Sequence, residues 1–172
     1  MSLRLRLTLW YSGILSLTFL LFGIALYLYL SVSMNQDAKA VLSYYANEVY
    51  KRINFGLSVS WEGIDLDIKL NDRDTFWSQG IYLQAVNLTT MEASRSSNLV
   101  EQDMEIPLYV STVKKIQTEP SFFEHVTIRN SPFLVYNKAI TLPNGTVVGI
   151  LQAALYAGTI QTFLNTLKFF LI

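Results

Sequence analysis

From Leu7 to Val32 the chain runs for 26 residues, LTLWYSGILSLTFLLFGIALYLYLSV, without a charge or a proline. No other stretch narrows the possible folds as much. A helix rises about 1.5 Å per residue, so this run covers roughly 39 Å, more than the about 30 Å of a bilayer's hydrocarbon core. In lipid a lone segment satisfies its own backbone only as a helix. Arg4 and Arg6 precede it. The positive-inside rule then predicts a cytoplasmic N-terminus over residues 1–6, a transmembrane helix over 7–32, and everything after Ser33 outside. Trp10 and Tyr11 near one end, and Tyr27 and Tyr29 near the other, fall where interfacial aromatics are expected. Ser31-Val32-Ser33 has the small-x-small form of a cleavage site. A signal peptide's apolar region is about 7–15 residues, however, so the run reads as an uncleaved anchor. The sequence offers no second segment of comparable hydrophobicity against which to bury it in a soluble core.

About 130 residues remain beside the anchor, enough for one domain with its own core. The chain is neutral overall, but all thirteen acidic residues lie between Asp37 and Glu124. Between residues 34 and 165 they face ten basic ones, so the outside domain is mildly acidic. That is not the footprint of a nucleic-acid binder. The absence of cysteine removes disulfide and thiolate chemistry.

The helix is expected to continue past the anchor. Ala38, Val41, Leu42, Tyr45, Val49 and Ile53 recur at three- and four-residue spacing and mark one apolar face, with Gly56 as a terminator. Residues 57–61 could form a short strand or open a loop, and Asp65, Asp67, Asp72 and Asp74 read as an acidic loop. Ile81–Val86 is a strand by composition and length, residues 87–90 a turn, and Met91–Arg95 the returning strand. Ser96, Ser97 and Asn98 read as a polar loop, and residues 108–116 as a short helix. His125–Arg129 and Phe133–Ile140 read as strands about a turn at Ser131-Pro132. Pro143-Asn144-Gly145 reads as a hairpin turn into a long strand, Thr146–Tyr156. A helix followed by a five-stranded antiparallel sheet is α+β. From Gly158 a second helical pattern begins, and residues 164–172 read as the start of a second transmembrane helix, cut short.

The opening LRLRLTLWYSGILSLTFLLFGIALYLYL resembles the first membrane segment of bacterial two-component sensor histidine kinases. Gly80–Val86, Arg95–Leu99 with Ile106-Pro107, and Asn144-Gly145 leading into Val148–Ala154 resemble their outside sensor domains. The resemblance covers most of the chain through fold-level patterns rather than a catalytic signature. It implies a PAS-like or Cache-like domain over residues 33–163, with a long membrane-linked helix packed on the five-stranded sheet. It implies a homodimer in the bacterial cytoplasmic (inner) membrane that passes a stimulus to a cytoplasmic kinase not contained in these residues. It also implies a small-molecule pocket on one sheet face, under the connecting segment. The same input module occurs on chemoreceptors and cyclic-nucleotide enzymes, and a self-contained anchored binding protein is the alternative from another class.

Chemical motifs are sparse. Asp65-x-Asp67 with Asn71, Asp72 and Asp74 invites a calcium reading, but Lys69 and Leu70 occupy the positions where an EF-hand loop needs an oxygen ligand and a glycine. Glu101, Asp103 and Glu105 form a second acidic group, best read as solvated loop. His125 faintly echoes a phosphoacceptor box, but its surroundings alternate like a strand and lack the residues that should follow. No nucleophile–base arrangement or phosphate-binding loop stands out, so neither catalysis nor a cofactor nor a metal is expected. The candidate ligand-binding residues are the polar side chains inside apolar strands: Gln84, Arg95, Tyr136, Lys138 and Gln152. A buried Arg or Lys would suit a carboxylate or phosphate. The competing account is that these residues face solvent or satisfy backbone groups.

Overall fold

The computed structural model describes residues 3–60, 63–69 and 80–158, together with Thr162 and Thr166. The chain divides into two compact units, residues 1–37 with 159–172, and residues 38–158. Helix α1, Leu3–Arg52, contributes to both.

In the first unit α1 is long and apolar enough to cross a membrane. Leu9, Trp10, Tyr11, Ile14, Leu15, Phe19, Phe22 and Tyr29 are all exposed. Two hydroxyls within this stretch are satisfied by the helix itself: Thr8 Oγ1 donates to Arg4 O (3.0 Å) and Thr18 Oγ1 to Ile14 O (2.9 Å). Such i−4 bonds let a polar side chain sit in an apolar medium without an orphan donor. The second membrane helix expected over residues 164–172 lies outside the described residues, apart from Thr166.

In the second unit the last turns of α1 bury Ala38, Leu42, Ala46 and Val49, with Ile53 just beyond the helix end. The expected face differs at Val41 and Tyr45, and Tyr45 is only half-buried. Val41 is exposed, and Ala46 takes its place in the stripe. The helix ends at Arg52, where Lys51 and Arg52 complement the negative end of the helix dipole. Gly56 does not terminate it. That glycine lies inside strand β1, Asn54–Ser60, opposite Asp67.

β1 forms a hairpin with β2, Gly63–Lys69. The acidic loop expected around Asp65 and Asp67 is therefore a strand. Its sequence Ile-Asp-Leu-Asp-Ile alternates with the two-residue period of a half-buried strand. The register sets Phe55 opposite Ile68, Leu57 opposite Leu66 and Val59 opposite Ile64. Asn71, Asp72 and Asp74 lie outside the described residues.

The main sheet contains β3 (Ile81–Asn87), β4 (Ala93–Arg95), β5 (Ser121–Ile128), β6 (Ser131–Thr141) and β7 (Val147–Tyr156). Its order is β4-β3-β7-β6-β5, antiparallel throughout. The architecture is thus α+β, a long N-terminal apolar helix with a five-stranded antiparallel sheet. Between β4 and β5 runs a connecting segment with two short helices, α2 (Ser97–Glu101) and α3 (Val110–Ile116). α2 replaces part of the polar loop expected at 96–98. Arg129 and Asn130, both at positive φ (47° and 64°), make the two-residue β5–β6 turn. Two left-handed residues match the right-handed twist of a hairpin. Ser131 and Pro132 instead open β6. Pro132 stands at the end of the ladder to β7: its carbonyl accepts from Ala157 N (2.9 Å), and only the reciprocal bond is missing. The turn expected at Asn144-Gly145 is present, with Gly145 at φ 86° and Thr146 N donating to Asn144 Oδ1 (3.0 Å).

Candidate ligand-binding layer

Strand alternation and register assign every side chain of the main sheet to one of two faces. One face carries Ile81, Leu83, Ala85, Leu134, Tyr136, Lys138, Ile140, Leu151 and Ala153. The final turns of α1 lie against it: Lys138 bonds Asn47, Tyr50 meets Thr141, and Lys39 stands 5.6 Å from the Phe123 ring centroid. The other face carries Tyr82, Gln84, Val86, Gln152, Ala154, Ile150, Phe133, Val135, Asn137 and Ala139. The connecting segment roofs it.

Two apolar clusters fill the space under that roof. One joins Leu99, Met104 and Ile106 to Val126, Ile128, Phe133, Val135 and Ala154. The other joins Ile116 to Phe122, Ala139 and Ile150, with Leu108 and Val113 against it. Between them runs a polar ladder across the sheet. Gln84 on β3 stands opposite Gln152 on β7, which stands opposite Asn137 on β6. Gln84 Nε2 donates to Gln152 Oε1 (3.2 Å), and Gln152 Nε2 to Asn137 Oδ1 (3.0 Å). Asn137 Nδ2 donates to Glu124 Oε1 (2.6 Å), and Glu124 in turn accepts from the Thr112 hydroxyl of α3 (3.1 Å to Oε2).

The ladder holds the roof at two places. At one end the Gln84 amide mimics a strand residue: Nε2 donates to Ile106 O (2.8 Å) while Oε1 accepts from Ile106 N (3.1 Å). At the other end Thr112 ties α3 to Glu124. Gln84, Gln152, Asn137 and Thr112 are all buried, and Glu124 is half-buried. Among the described residues no buried side-chain polar atom lacks a partner. A fully satisfied buried network fixes a register, whereas a partly satisfied one destabilises.

Exposed contacts clip the roof from outside. Arg129 Nη1 donates to Gln102 O (3.0 Å), and its Nη2 reaches Asp103 O and, at 3.4 Å, Asp103 Oδ2. Arg95 Nη1 donates to Met104 O (3.4 Å), and the Tyr82 hydroxyl to Gln102 Oε1 (3.2 Å). Asp103 sits at φ 49°, a left-handed conformation that few side chains favour.

Of the five expected ligand residues, Gln84 and Gln152 are the buried centre of the ladder. Arg95 is on the same face but exposed, at the edge strand. Tyr136 and Lys138 project from the opposite face, against α1, so the five do not form one site. Asn137, Glu124 and Thr112 were missed. Asn137 lies between Tyr136 and Lys138, and alternation alone sends it to the other face, beside Gln152. Glu124 and Thr112 sit in polar or mixed stretches and carry no such signal. Gln84 satisfies a backbone segment, as the competing account supposed. His125 lies on β5, exposed. Among the described residues no group of three or more His, Cys, Asp or Glu side chains is placed to hold a metal. No known protein family, curated protein or solved structure matches this chain.

Proposed function

We propose that this chain is the anchored, extracytoplasmic sensing region of a membrane signalling protein, a sensor histidine kinase of the inner membrane. The observation that carries this reading is α1 itself. One helix assignment holds both a 26-residue apolar run and the buried stripe Ala38–Val49 that packs on a five-stranded antiparallel sheet. An outside domain built directly on its membrane helix is suited to reporting through that helix. A PAS-like identity for the domain is supported by the two differently covered faces of its sheet, a long helix on one and a connecting segment on the other.

In this reading the roof is the element a stimulus moves. Its backbone is bound to the sheet through side-chain amides that a ligand with similar donors and acceptors could replace. Signalling is then a population shift between a closed and an open roof, with a different arrangement of the membrane helices in each. Val41 and Tyr44, exposed on the flank of α1, are the proposed contact with a second copy. The phosphotransfer machinery belongs to residues beyond this chain, and the same input could serve a chemoreceptor or a cyclic-nucleotide enzyme.

Two measurements test this. The chain has no native cysteine, so single cysteines report topology cleanly. A membrane-impermeant maleimide applied to intact cells should label Met91→Cys and spare Ser2→Cys; the reverse pattern contradicts an outside domain. Reading the frame past codon 172 should reveal an apolar span, a relay domain and a phosphoacceptor helix. A stop codon there would favour the self-contained anchored binding protein.

A further inference from the structure

Lys138 is left unexplained by the polar ladder and the apolar clusters. It stands half-buried on the α1 face, where its ammonium donates to Asn47 Oδ1 and lies 4.3 Å from the centroid of the Tyr50 ring. An ammonium has three N–H donors and no acceptor. Asn47 takes one, and the Tyr50 face attracts the charge without neutralising it. Among the described residues no carboxylate stands within ion-pair distance of Lys138. The neighbouring acid on α1, Glu48, is held instead by Lys51 (2.9 Å) and Arg52 (3.7 Å). Beside the lysine, the Tyr50 and Thr141 hydroxyls share one long bond of 3.4 Å. Two hydroxyls bonded to each other use one proton and leave the second free to donate. One edge of the α1–sheet contact therefore gathers a spare hydroxyl donor and a cation that has no counter-charge among the described residues. Lys138 is only half-buried, so the cost of desolvating its ammonium is partial, and a charge-assisted bond to an anion would offset it.

We infer that Lys138, Tyr50 and Thr141, with Asn47, form a subsite for a small oxyanion, a carboxylate or a phosphate. The ammonium supplies the charge and the hydroxyls supply direction. Lysine acts as a point charge without the planar fork of arginine, so the subsite accepts planar and tetrahedral anions alike. An occupant competes with Asn47 for Lys138 and so weakens a tie between α1 and β6. That consequence rests on the sensing function proposed above; the binding does not.

The test uses the full chain in nanodiscs of zwitterionic lipid. Sodium phosphate or sodium acetate is titrated against sodium chloride at matched ionic strength, and the unfolding midpoint is followed. The expected result is a saturable rise, lost in Lys138→Met, which keeps the aliphatic stem, and kept in Lys114→Met, an exposed lysine on α3. Tyr50→Phe should weaken the apparent affinity several-fold. A second arm uses nanodiscs containing anionic phospholipid and no added oxyanion. A Lys138-dependent rise only in that arm assigns the oxyanion to a lipid headgroup. A further readout needs no variant: the side-chain resonances of Lys138 should shift saturably with phosphate while those of Lys114 stay put. A response equal in wild type and Lys138→Met, or no Lys138 response in either arm, overturns the site.

Discussion

The two faces of the main sheet are covered in different ways. On the α1 side the buried residues are mostly apolar, Leu42 and Ala46 on the helix and Ile81, Leu83, Ile140 and Leu151 on the sheet face toward it. Under the connecting segment the apolar contact is split in two by a row of amides and a carboxylate. Apolar contact is non-directional and tolerates small sliding, whereas amide pairs demand one geometry. The helix face therefore supplies cohesion. The roofed face supplies a register that holds only while every amide keeps its partner.

Breaking the apolar side should cost most. Leu42→Ala removes a fully buried side chain from the α1 stripe and should destabilise the outside domain by about 2–5 kcal/mol. Unfolding of the full chain in nanodiscs, followed by near-ultraviolet circular dichroism, measures this. Loss of less than about 1 kcal/mol would mean that α1 is not packed on the sheet as described.

The polar side should respond less, but locally. Gln152→Leu leaves Asn137 Oδ1 without its donor and takes one acceptor from Gln84, at a cost of about 1–3 kcal/mol. Its signature is faster amide exchange at Ile106, with little change along the buried stripe of α1. Uniform loss on both faces would erase the proposed distinction between them.

Arg129→Ala comes next. The side chain is exposed, so its bonds to Gln102 and Asp103 should contribute no more than about 1 kcal/mol. Exchange should rise at residues 102–104 and nowhere in β7.

Smallest is the effect of Glu48. Its pKa lies below the ordinary carboxylate value, first because Lys51 hydrogen-bonds it and then because Lys51 and Arg52 attract its charge. A depressed pKa lends stability that is present above the unfolded-state value and lost as pH falls through the folded-state value. An acid titration followed by side-chain NMR should place the Glu48 midpoint below the ordinary value for a glutamate carboxylate. Glu48→Gln should leave neutral-pH stability nearly unchanged.

Much of this fold is legible in the sequence because its signals are periodic. The anchor is a run without charge. The α1 stripe follows helical spacing, and β3, β6 and β7 are apolar runs bounded by turns. The β1–β2 hairpin was hidden because aspartates in Ile64–Ile68 suggested a loop, although their alternation fits a strand. The β5–β6 turn lies two residues before the expected one because proline is the stronger visual cue, while the left-handed residues are Arg129 and Asn130, of which only the asparagine carries a turn signal. The ladder was half legible. Gln84 and Gln152 stand out as polar residues in apolar strands. Their pairing depends on a register that links residues 68 positions apart, and no local pattern encodes it. Lys138 stands out in the sequence as a polar residue in an apolar strand, but only the structure shows that it faces α1 rather than the roof.

The most direct test of the difference between the faces is native-state hydrogen exchange on the full chain in nanodiscs. Locally opening segments exchange at lower free energy than the global core. The amides of residues 99–106 should exchange through a local opening, at least tenfold faster than those of residues 42–49 and of the centre of β7. If residues 99–106 exchange together with α1 and β7 at one common rate, the roof does not open by itself, and the account of how this domain responds to a stimulus fails.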